Sequence, residues 1–344
     1  MPIERRTARR GAPPQQAGDT WAIVLAAGEG TRLRSLTMDA GGDSVPKQFC
    51  ALRSGPSLLH ETLRRAEAVV DPSRVCTIVA QQHGRWWVPA LAGSLRGNVI
   101  VQPQNRGTAN GILLALSCVL ERDPAANVVV LPSDHYVGDE PTLCAGIRRS
   151  LHALRARDAE IVLLGVAPEE IDSDLGYIVP GQRSVGVPVS VRKFVEKPAA
   201  REARALIEEG ALWNVFILAA RARSLLDLVR GRNAAIVEQM RAAWQLDARS
   251  PLTNSALTEL YRGLPTLDFS RDVAAGRVSS LSVLHVPSCG WSDLGTPERV
   301  AKVLMRPVAE RASFFRSSTA LSLEEGFLRR QAMSERAQRT AAAP

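Results

Sequence analysis

A glycine-rich turn that follows a short apolar run has the residue types needed to bind an anion. The run Trp21–Ala26 leads into Gly28, Gly30, Thr31 and Arg32. Closely spaced glycines let backbone amides approach and surround an anion. A glycine pair between a strand and a helix is also a common structural turn. Because a threonine and an arginine adjoin the glycines here, we predict a phosphate-binding loop.

Two well-known nucleotide-binding fingerprints do not fit this turn. The dinucleotide pattern GxGxxG needs a third glycine where Leu33 stands, and an acidic residue after the second strand, where Gln81 and Gln82 stand. The P-loop pattern GxxxxGK(S/T) occurs nowhere in the chain. These differences disfavour a nicotinamide-dependent dehydrogenase and a P-loop nucleotide hydrolase.

Two aspartates in distant parts of the chain are candidate metal ligands. Asp134 follows the buried-strand pattern Val128–Leu131, at the carboxyl end where open α/β sheets place their ligands. A carboxylate there suits Mg²⁺, which takes few protein oxygens and keeps water and phosphate as its other ligands. An aspartate at that position could equally be the N-cap of the next helix. Asp293, in the segment CGWSDLG, offers a second carboxylate.

Two further segments offer polar groups for a sugar or a phosphate. Glu196 and Lys197 end a strand pattern, and Pro198 stops further pairing so that both charges can face a cleft. A solvated strand end is the common alternative. Asn214 lies inside the apolar run Leu212–Ile217, where a buried amide needs hydrogen-bonding partners. Sugar hydroxyls are suitable partners.

Several short segments, taken in chain order, resemble the sugar-nucleotide pyrophosphorylases. LAAGEGTRL (25–33) and PKQF (46–49) carry the first likeness, and PKQF is similar in particular to the mannose-1-phosphate guanylyltransferase branch. The likeness continues in QPQNRGTA (102–109), LPSDHYV (131–137), LGYI (175–178), FVEKP (194–198), LWNVFI (212–217), DFSRDV (268–273) and GWSDLGTPERV (290–300). One such segment is a weak match, whereas this many in the family's order, over about residues 21–305, identify the family.

The resemblance implies a reaction and a set of site residues. In this family a nucleoside monophosphate unit passes from a nucleoside triphosphate to a sugar 1-phosphate, with release of pyrophosphate and with Mg²⁺ as cofactor; the branch implies GTP and mannose 1-phosphate. The residues implied for nucleotide binding are Ala27, Gly28, Gly30, Thr31, Arg32, Gln102, Asn105, Arg106, Gly107 and Thr108. Those implied for the sugar phosphate are Gly176, Glu196, Lys197 and Asn214. Those implied for catalysis are Arg32, Lys47, Asp134, Lys197 and Asp293, with the metal on Asp134 and Asp293.

Three stretches depart from the family's pattern. Residues 39–43 lengthen the loop that carries the signature, Arg34-Ser35-Leu36 replaces the usual residue-proline-leucine, and Val215-Phe216 stands where small residues usually follow Trp-Asn. The choice of sugar therefore stays open. The alternatives are a glucose-1-phosphate thymidylyl- or uridylyltransferase, and a non-catalytic homologue that senses nucleotide sugars. Retention of both carboxylates and both lysines argues against the sensor.

The elements that must position these residues alternate along the first half of the chain. Strands are predicted at Trp21–Ala26, Val75–Ala80, Asn98–Gln102, Val128–Leu131 and Glu160–Val166. Helical patterns of about 10–15 residues between such strands indicate βαβ units. We therefore predict an α/β fold with a doubly wound, mostly parallel sheet, and the resemblance implies that this is the Rossmann-like nucleotidyltransferase fold. The later strand patterns at Tyr177–Val179, Val189–Val195, Leu212–Ala219 and Leu281–Val286 predict a mixed extension of this sheet.

Charge and composition bound the expected partners. The net charge is +8, but four arginines oppose two acids in residues 1–19 and seven oppose four in residues 306–344, so most of the excess lies at the two ends. No basic stripe interleaved with aromatic residues is evident, and we expect no nucleic-acid partner. No apolar run approaches the roughly 20 residues of a membrane helix, and we expect no membrane partner.

The same survey predicts how the chain is organised. We predict a disordered tail at 1–19, a nucleotidyltransferase domain at 20–305 and a helical or disordered C-terminal tail at 306–344. The five scattered cysteines, at positions 50, 76, 118, 144 and 289, form no CxxC pair and indicate neither a disulfide framework nor a zinc site. A reducing cytoplasm is the expected location, and a homodimer is an open alternative.

Overall fold

The computed structural model describes residues 19–39, 41–94, 98–249, 255–306 and 321–341, and the predicted N-terminal tail lies outside this range except for Asp19. The strands in this part of the chain are β1 (Thr20–Ala26), β2 (Val75–Ala80), β3 (Val99–Gln102), β4 (Asn127–Pro132), β5 (Ile161–Val166), β6 (Gly176–Pro180), β7 (Val189–Glu196), β8 (Leu212–Arg221) and β9 (Ser282–Val286). The helices are α1 (Leu58–Glu67), α2 (Gly84–Ala90), α3 (Thr108–Arg122), α4 (Glu140–Ala156), α5 (Ala200–Glu208), α6 (Ala222–Arg249), α7 (Ser255–Gly263), α8 (Pro297–Leu304) and α9 (Leu323–Ala341).

All the strands join one sheet in the order β3-β2-β1-β4-β8-β5-β9-β7-β6, with a further pairing of β8 with β6. Strands β3, β2, β1 and β4 are parallel to one another, and β5 is parallel to β9. The pairings of β8 with β4, β5 and β6, and of β7 with β6 and β9, are antiparallel. The fold class is therefore mixed α/β.

The prediction of a mostly parallel sheet is wrong, because five of the nine strand pairings among the described residues are antiparallel. The cause is the position of β8. The sequence pattern suggested that the later strands extend the sheet, but β8 inserts between β4 and β5. A strand buried on both faces is apolar whether its neighbours are parallel or antiparallel, so the Leu212–Ala219 pattern carries no information on direction.

Packing on both faces of the sheet explains why central strands such as β1 are almost entirely apolar. In β1, Ala22 and Val24 face one buried cluster, while Trp21 and Ile23 face the other. Successive strand residues point to opposite faces, so a strand covered on both sides has no polar positions to spare. The sheet is thus the rigid support from which the loops at its carboxyl edge project.

The elements after residue 306 extend the core beyond the predicted domain. Leu323 is fully buried, and Leu321 and Phe327 pack against the cluster that also contains Leu33 and Leu36.

Among the described residues, no helix combines the length and apolar character needed to cross a membrane.

Candidate active site

A cleft of about 490 Å³ opens at the carboxyl ends of β1, β3, β4 and β7. The predicted site residues that line it are Ala27, Gly28, Arg32, Gln102, Asn105, Gly107, Thr108, Asp134, Gly176, Glu196, Lys197, Asn214 and Asp293. Gly30, Thr31, Lys47 and Arg106 are not among the lining residues. We call residues 27–32 and 102–108 the glycine wall, and Gly176, Glu196, Lys197, Asn214 and Phe216 the strand wall.

The PKQF segment packs against the glycine loop and donates hydrogen bonds to it. Gly30 has φ = 63°, and a Cβ there would lie 2.9 Å from the backbone nitrogen of Lys47, so no other residue fits without movement. Gln48 donates through Nε2 to the carbonyls of Ala26 (3.1 Å) and Gly28 (2.9 Å). The loop therefore owes its shape to the glycine and to an amide that the sequence analysis did not select.

The buried side chain of Lys47 lies behind the cleft and contacts both candidate metal ligands, Asp134 through its carboxylate and Asp293 through its backbone carbonyl. Its side chain is 6% exposed, and Nζ lies 2.9 Å from Oδ2 of Asp134, 2.6 Å from the carbonyl oxygen of Asp293 and 3.4 Å from that of Leu294. All its donor capacity is directed at these groups. Burial acts to raise the pKa of Asp134, but the charge of Lys47 and the hydrogen bond that it donates, together with the nearby His135, outweigh burial and lower that pKa, so the carboxylate is ionised.

Asp293 is fixed by a second cation. Nη1 of Arg299 lies 2.7 and 2.8 Å from its two carboxylate oxygens, and the backbone N–H of Gly295 donates to Oδ1 at 3.0 Å. Arg32 approaches Oδ2 from the cleft at 3.9 Å. Burial works to raise the pKa of Asp293, but His135, Arg299 and Lys47 together lower it. Two ionised carboxylates, Asp134 and Asp293, thus line the cleft, and we call this pair the floor of the cleft.

The helix-cap alternative for Asp134 does not hold. The N-cap of α4 is Asp139, whose side chain accepts from the backbone N–H of Thr142 at 3.0 Å. Asp134 lies five residues earlier in the loop after β4 and lines the cleft instead.

The donor set on the floor fits a hard divalent cation. Among the described residues no three or more His, Cys, Asp or Glu side chains are grouped to hold a metal. Mg²⁺ does not require such a cage, since it binds one or two carboxylates and fills its remaining positions with water and substrate phosphates. Asp134 and Asp293, both ionised and both lining the cleft, meet that requirement.

The strand wall carries its charges at the end of β7. Strand β7 stops at Glu196, and Lys197 has φ = 52°, an uncommon conformation for a residue with a Cβ. Burial, together with the nearby Asp268, raises the pKa of Glu196 to about 7, against the opposing charges of Lys197 and Arg271. The carboxyl group is therefore poised between its neutral and charged forms near neutral pH.

A bulge in β8 shapes the rest of this wall. The pairing with β5 jumps from Leu163–Leu218 to Gly165–Asn214, and Phe216, inside the jump, has φ = 57°. Oδ1 of Asn214 accepts from the backbone N–H of Phe216 at 3.0 Å, and Nδ2 is 3.4 Å from Oγ of Ser270. The amide thus has protein partners of its own, so its burial does not by itself require a sugar.

Three residues of the turn 102–108, in the glycine wall, make contacts that hold the turn in place. Gly107 has φ = 86°, and a Cβ there would lie 2.2 Å from the carbonyl oxygen of Leu267. Arg106 turns away and donates to the carbonyls of Tyr261 and Arg262. The hydroxyl of Thr108 accepts from the backbone N–H of Phe269 at 2.8 Å. These contacts fasten the turn to the segment 261–269.

Gln102 is the member of this turn that still needs a partner. Its side chain is 1% exposed, lines the cleft, and has an Oε1 atom with no hydrogen-bond partner among the described residues. An unpaired buried carbonyl oxygen costs free energy unless a ligand supplies a donor. A ligand N–H group that reached this atom would supply the missing partner.

Several residues that the sequence analysis did not select also line the cleft. They are Gln48, Ser133, Asp174, Phe216, Asp268, Ser270, Arg271 and Trp291. The DFSRDV segment contains three of them, and its place in the series of family-like segments was the available signal. Its chemistry was hidden because the segment folds as a π-helical turn, Phe269–Ala274, that reaches the cleft only through tertiary packing.

Comparisons with known proteins agree with this geometry. The family model described as Nucleotidyl transferase matches residues 21–307. The chain is 28% identical to "Mannose-1-phosphate guanylyltransferase" of Escherichia coli (strain K12) over 285 residues, and 28% identical to "Xanthan biosynthesis protein XanB" of Xanthomonas campestris. These alignments cover 80% and 81% of this chain but 58% of each relative, so the chain spans little more than half the length of these curated relatives.

A solved structure gives the same picture. The crystal structure titled mannose-1-phosphate geranyltransferase, from Thermus thermophilus, superposes with a TM-score of 0.70 at 28% identity and covers 85% of this chain and 81% of that one. A Helicobacter pylori structure titled mannose-6-phosphate isomerase, at 18% identity and a TM-score of 0.61, shares the fold.

Proposed function

The chain belongs to the nucleotidyl transferase family, and from that premise we propose that it transfers a nucleoside monophosphate unit from a nucleoside triphosphate to a hexose 1-phosphate, with release of pyrophosphate. GTP and mannose 1-phosphate are the proposed substrates. The relatives named for guanylyl transfer to mannose 1-phosphate support this choice, as does the PKQF segment.

One observation carries the proposal: Asp134 and Asp293 both line one cleft between the glycine wall and the strand wall, and behind that cleft the ammonium of Lys47 connects Asp134 with the Asp293–Leu294 backbone. Such a floor places anionic and cationic groups where the phosphates of two substrates would meet. Each wall then has a separate partner. The glycine wall suits a triphosphate, and the strand wall suits a phosphorylated sugar.

The chemistry requires little of the protein beyond positioning and charge. An oxygen of the sugar phosphate attacks the α-phosphorus in line, and pyrophosphate leaves on the opposite side. Phosphoryl transfer of this kind is accelerated by orientation and by neutralising charge. We assign triphosphate binding to the backbone of the glycine loop and to Arg32, and sugar-phosphate binding to Lys197.

No general base is needed, because the attacking phosphate oxygen is already ionised. His135, which follows Asp134 in the cleft, is poorly suited to that role. Its Nδ1 accepts a hydrogen bond from Nε1 of Trp291 at 3.2 Å, so in the neutral ring the proton lies on Nε2, which is 3.6 Å from Asp134. Burial lowers the pKa of His135 and favours this neutral form.

Asp134 and Asp293 would hold Mg²⁺. When bound, such an ion neutralises phosphate charge and orients the leaving group. Lys47 and Arg299 keep the two carboxylates ionised and fixed in direction. Arg32, whose guanidinium is 3.9 Å from both Asp174 and Asp293, is free enough to follow a phosphate into the cleft.

Guanine is the proposed base because the named relatives and the PKQF segment point to it. The unpartnered oxygen of Gln102 would accept an N–H from the pairing edge of the base. A buried acceptor that a ligand fails to satisfy can lower specificity constants by orders of magnitude. Every common base has an N–H on that edge, so Gln102 supports a bound base without choosing among them, and both the base and the sugar rest mainly on the relatives.

The test is pyrophosphate release measured for the four common nucleoside triphosphates, each with mannose 1-phosphate and with glucose 1-phosphate. We expect the highest kcat/KM for GTP with mannose 1-phosphate. A preference of about tenfold for a pyrimidine nucleotide would overturn the base and keep the reaction class. Absence of turnover with every pair, alongside tight binding of a nucleotide sugar, would establish the non-catalytic alternative instead.

A further inference from the structure

Residues 321–341 lie beyond the region 21–307 that the family model matches, yet they touch the candidate active-site loops. We call this segment the C-terminal strap. It consists of a short extended part, Leu321–Ser322, followed by helix α9. No described residue of the strap lines the cleft, so any effect on the reaction must pass through other residues.

The extended part pairs with the chain just after Lys47. The backbone N–H of Ala51 donates to the carbonyl of Leu321 at 2.8 Å, and the carbonyl of Ala51 accepts from Leu323 at 2.8 Å. The N–H of Glu324 donates to the carbonyl of Leu52 at 3.0 Å. Ala51 is four residues from Lys47, on the same turn of chain, so this bridge limits where the buried ammonium can move.

The helix contacts the other signature loop at very short range. A Cβ at Gly326 would lie 1.9 Å from the carbonyl oxygen of Leu36, so the helix packs directly on the backbone of that loop. Nη1 of Arg330 donates to Oγ of Ser35 at 3.2 Å. Leu36 is four residues after Arg32, the cation that faces both Asp174 and Asp293.

The strap therefore holds two loops that also touch each other. A Cβ at Gly30 would be 2.9 Å from the nitrogen of Lys47, and the N–H of Val45 donates to the carbonyl of Thr37 at 2.8 Å. Both loops consist of short 3₁₀ turns, Thr31–Leu33 and Lys47–Phe49, with little regular structure of their own. Such segments depend on outside contacts for their position.

We propose that the C-terminal strap is a positioning element for the loops that carry Arg32 and Lys47, so that affinity for the nucleoside triphosphate depends on residues outside the matched transferase region. Its side chains take no part in the chemistry. Since a misplacement of about 1 Å can cost about 100-fold in a transfer reaction, a strap of this kind has a measurable effect. The kinetic consequence rests on the proposed function; the structural consequence does not.

The test uses the full-length protein with the substitution Gly326→Ala. Alanine is the better helix former, so α9 itself is not weakened, and any loss must come from the clash with the Leu36 carbonyl. The control is Gln331→Ala, at an exposed position of the same helix. Arg330→Ala, which removes only the surface contact with Ser35, is a milder variant that leaves the core untouched.

Three measurements separate positioning from general stability. Hydrogen exchange reports the Ala51 amide, whose acceptor is the strap itself. Titration with a fluorescent GTP analogue reports nucleotide affinity without turnover, and KM values report each substrate separately. For Gly326→Ala we expect faster exchange at Ala51 and about tenfold weaker binding of the analogue, with the KM for sugar phosphate within about twofold. Arg330→Ala should move in the same direction by less, and Gln331→Ala should match the wild type.

The outcomes are distinct. Exchange and analogue affinity in Gly326→Ala that match the wild type would overturn the proposal. Faster exchange with equal losses for both substrates would also overturn it, since the strap would then only stabilise the fold. If no substrate pair releases pyrophosphate but Gly326→Ala still weakens analogue binding, the proposed function fails and the strap's role stands.

Discussion

The two walls of the cleft reach unusual backbone conformations in different ways. The glycine wall uses glycines at positive φ, Gly30 and Gly107, both at points where another backbone comes too close for a Cβ. The strand wall uses Lys197 and Phe216, which keep their side chains at positive φ. A residue with a Cβ in this region carries roughly 1–3 kcal/mol of strain.

This difference fits the ligand that we propose for each wall. Backbone amides bind a phosphate chain well when nothing stands between them and the anion. A sugar phosphate needs side-chain groups at set positions, and these can project into a cleft only if the chain turns sharply beneath them. Strain at Lys197 and Phe216 is therefore retained where a side chain is needed, and glycine is used where a side chain would be in the way.

The largest expected effect lies on the floor, which both walls share. Asp134→Asn and Asp293→Asn should each lower kcat by about 10²–10³, because loss of one charge-stabilising group typically has that effect. The fall should be similar for every nucleotide and sugar tested. Asp139→Asn, at the cap of α4, is the control and should retain activity. Near-normal turnover of either floor variant at saturating Mg²⁺ would refute the metal assignment.

The substitution Lys197→Ala tests whether the two walls bind different substrates. We expect the KM for sugar phosphate to rise about 10–100-fold while the KM for the triphosphate changes little, since Lys197 belongs to the strand wall. Lys47→Ala should instead lower kcat and also the melting temperature, because Asp134 and two carbonyls would lose a buried partner. Steady-state kinetics with each substrate varied in turn decide the matter; a Lys197 variant altered only in triphosphate affinity would contradict the assignment.

At the glycine wall, adding one methyl group should be costly. Gly30→Ala should lower the free energy of unfolding by about 1–3 kcal/mol, because it combines positive φ with a 2.9 Å approach to Lys47. Gly28→Ala, in the same loop with no atom within 4 Å of the added Cβ, should not lower it. Urea denaturation of the two variants provides the comparison. Equal stability would show that the loop relaxes freely.

At the strand wall, glycine should be more stable than alanine at position 216. Phe216→Gly and Phe216→Ala both lose the ring that packs edge-on against Phe269 at 6.1 Å. They differ only in the Cβ, so Phe216→Gly should be more stable than Phe216→Ala by about 1 kcal/mol, the reverse of the usual order in a strand. If alanine is the more stable, φ at residue 216 is not held positive in solution.

The last prediction, also at the strand wall, concerns pH. The folded-state pKa of Glu196 is raised from 4.5 to about 7, so the folded protein holds a proton there that the unfolded chain has released. Between these values the unfolded state binds fewer protons, and stability must fall as pH rises. Thermal melts from pH 4.5 to 7.5 should show this decline in the wild type and a smaller one in Glu196→Gln. Parallel curves for the two proteins would contradict it.

Much of this molecule follows from local pattern in the sequence. The nine strands of the described residues appear within two residues of their predicted positions, with the largest difference at the end of β8, because runs such as Val75–Ala80 are apolar on both faces. The glycine loop and the Glu196-Lys197-Pro198 strand end were also predicted, since glycine and proline act on the backbone at their own positions. Residues of this kind can be interpreted without knowing their neighbours.

Tertiary structure decided the rest. Strand direction depends on the path of the chain, so β8 could be placed between β4 and β5 only in the folded molecule. The contact of Lys47 with Asp293, separated by 246 residues, and the packing of Gly326 on Leu36 likewise arise from the fold alone. Partners far apart in the chain leave no periodic trace in it, which is why the sequence determined the walls of the cleft while the fold determined how its floor and loops are held.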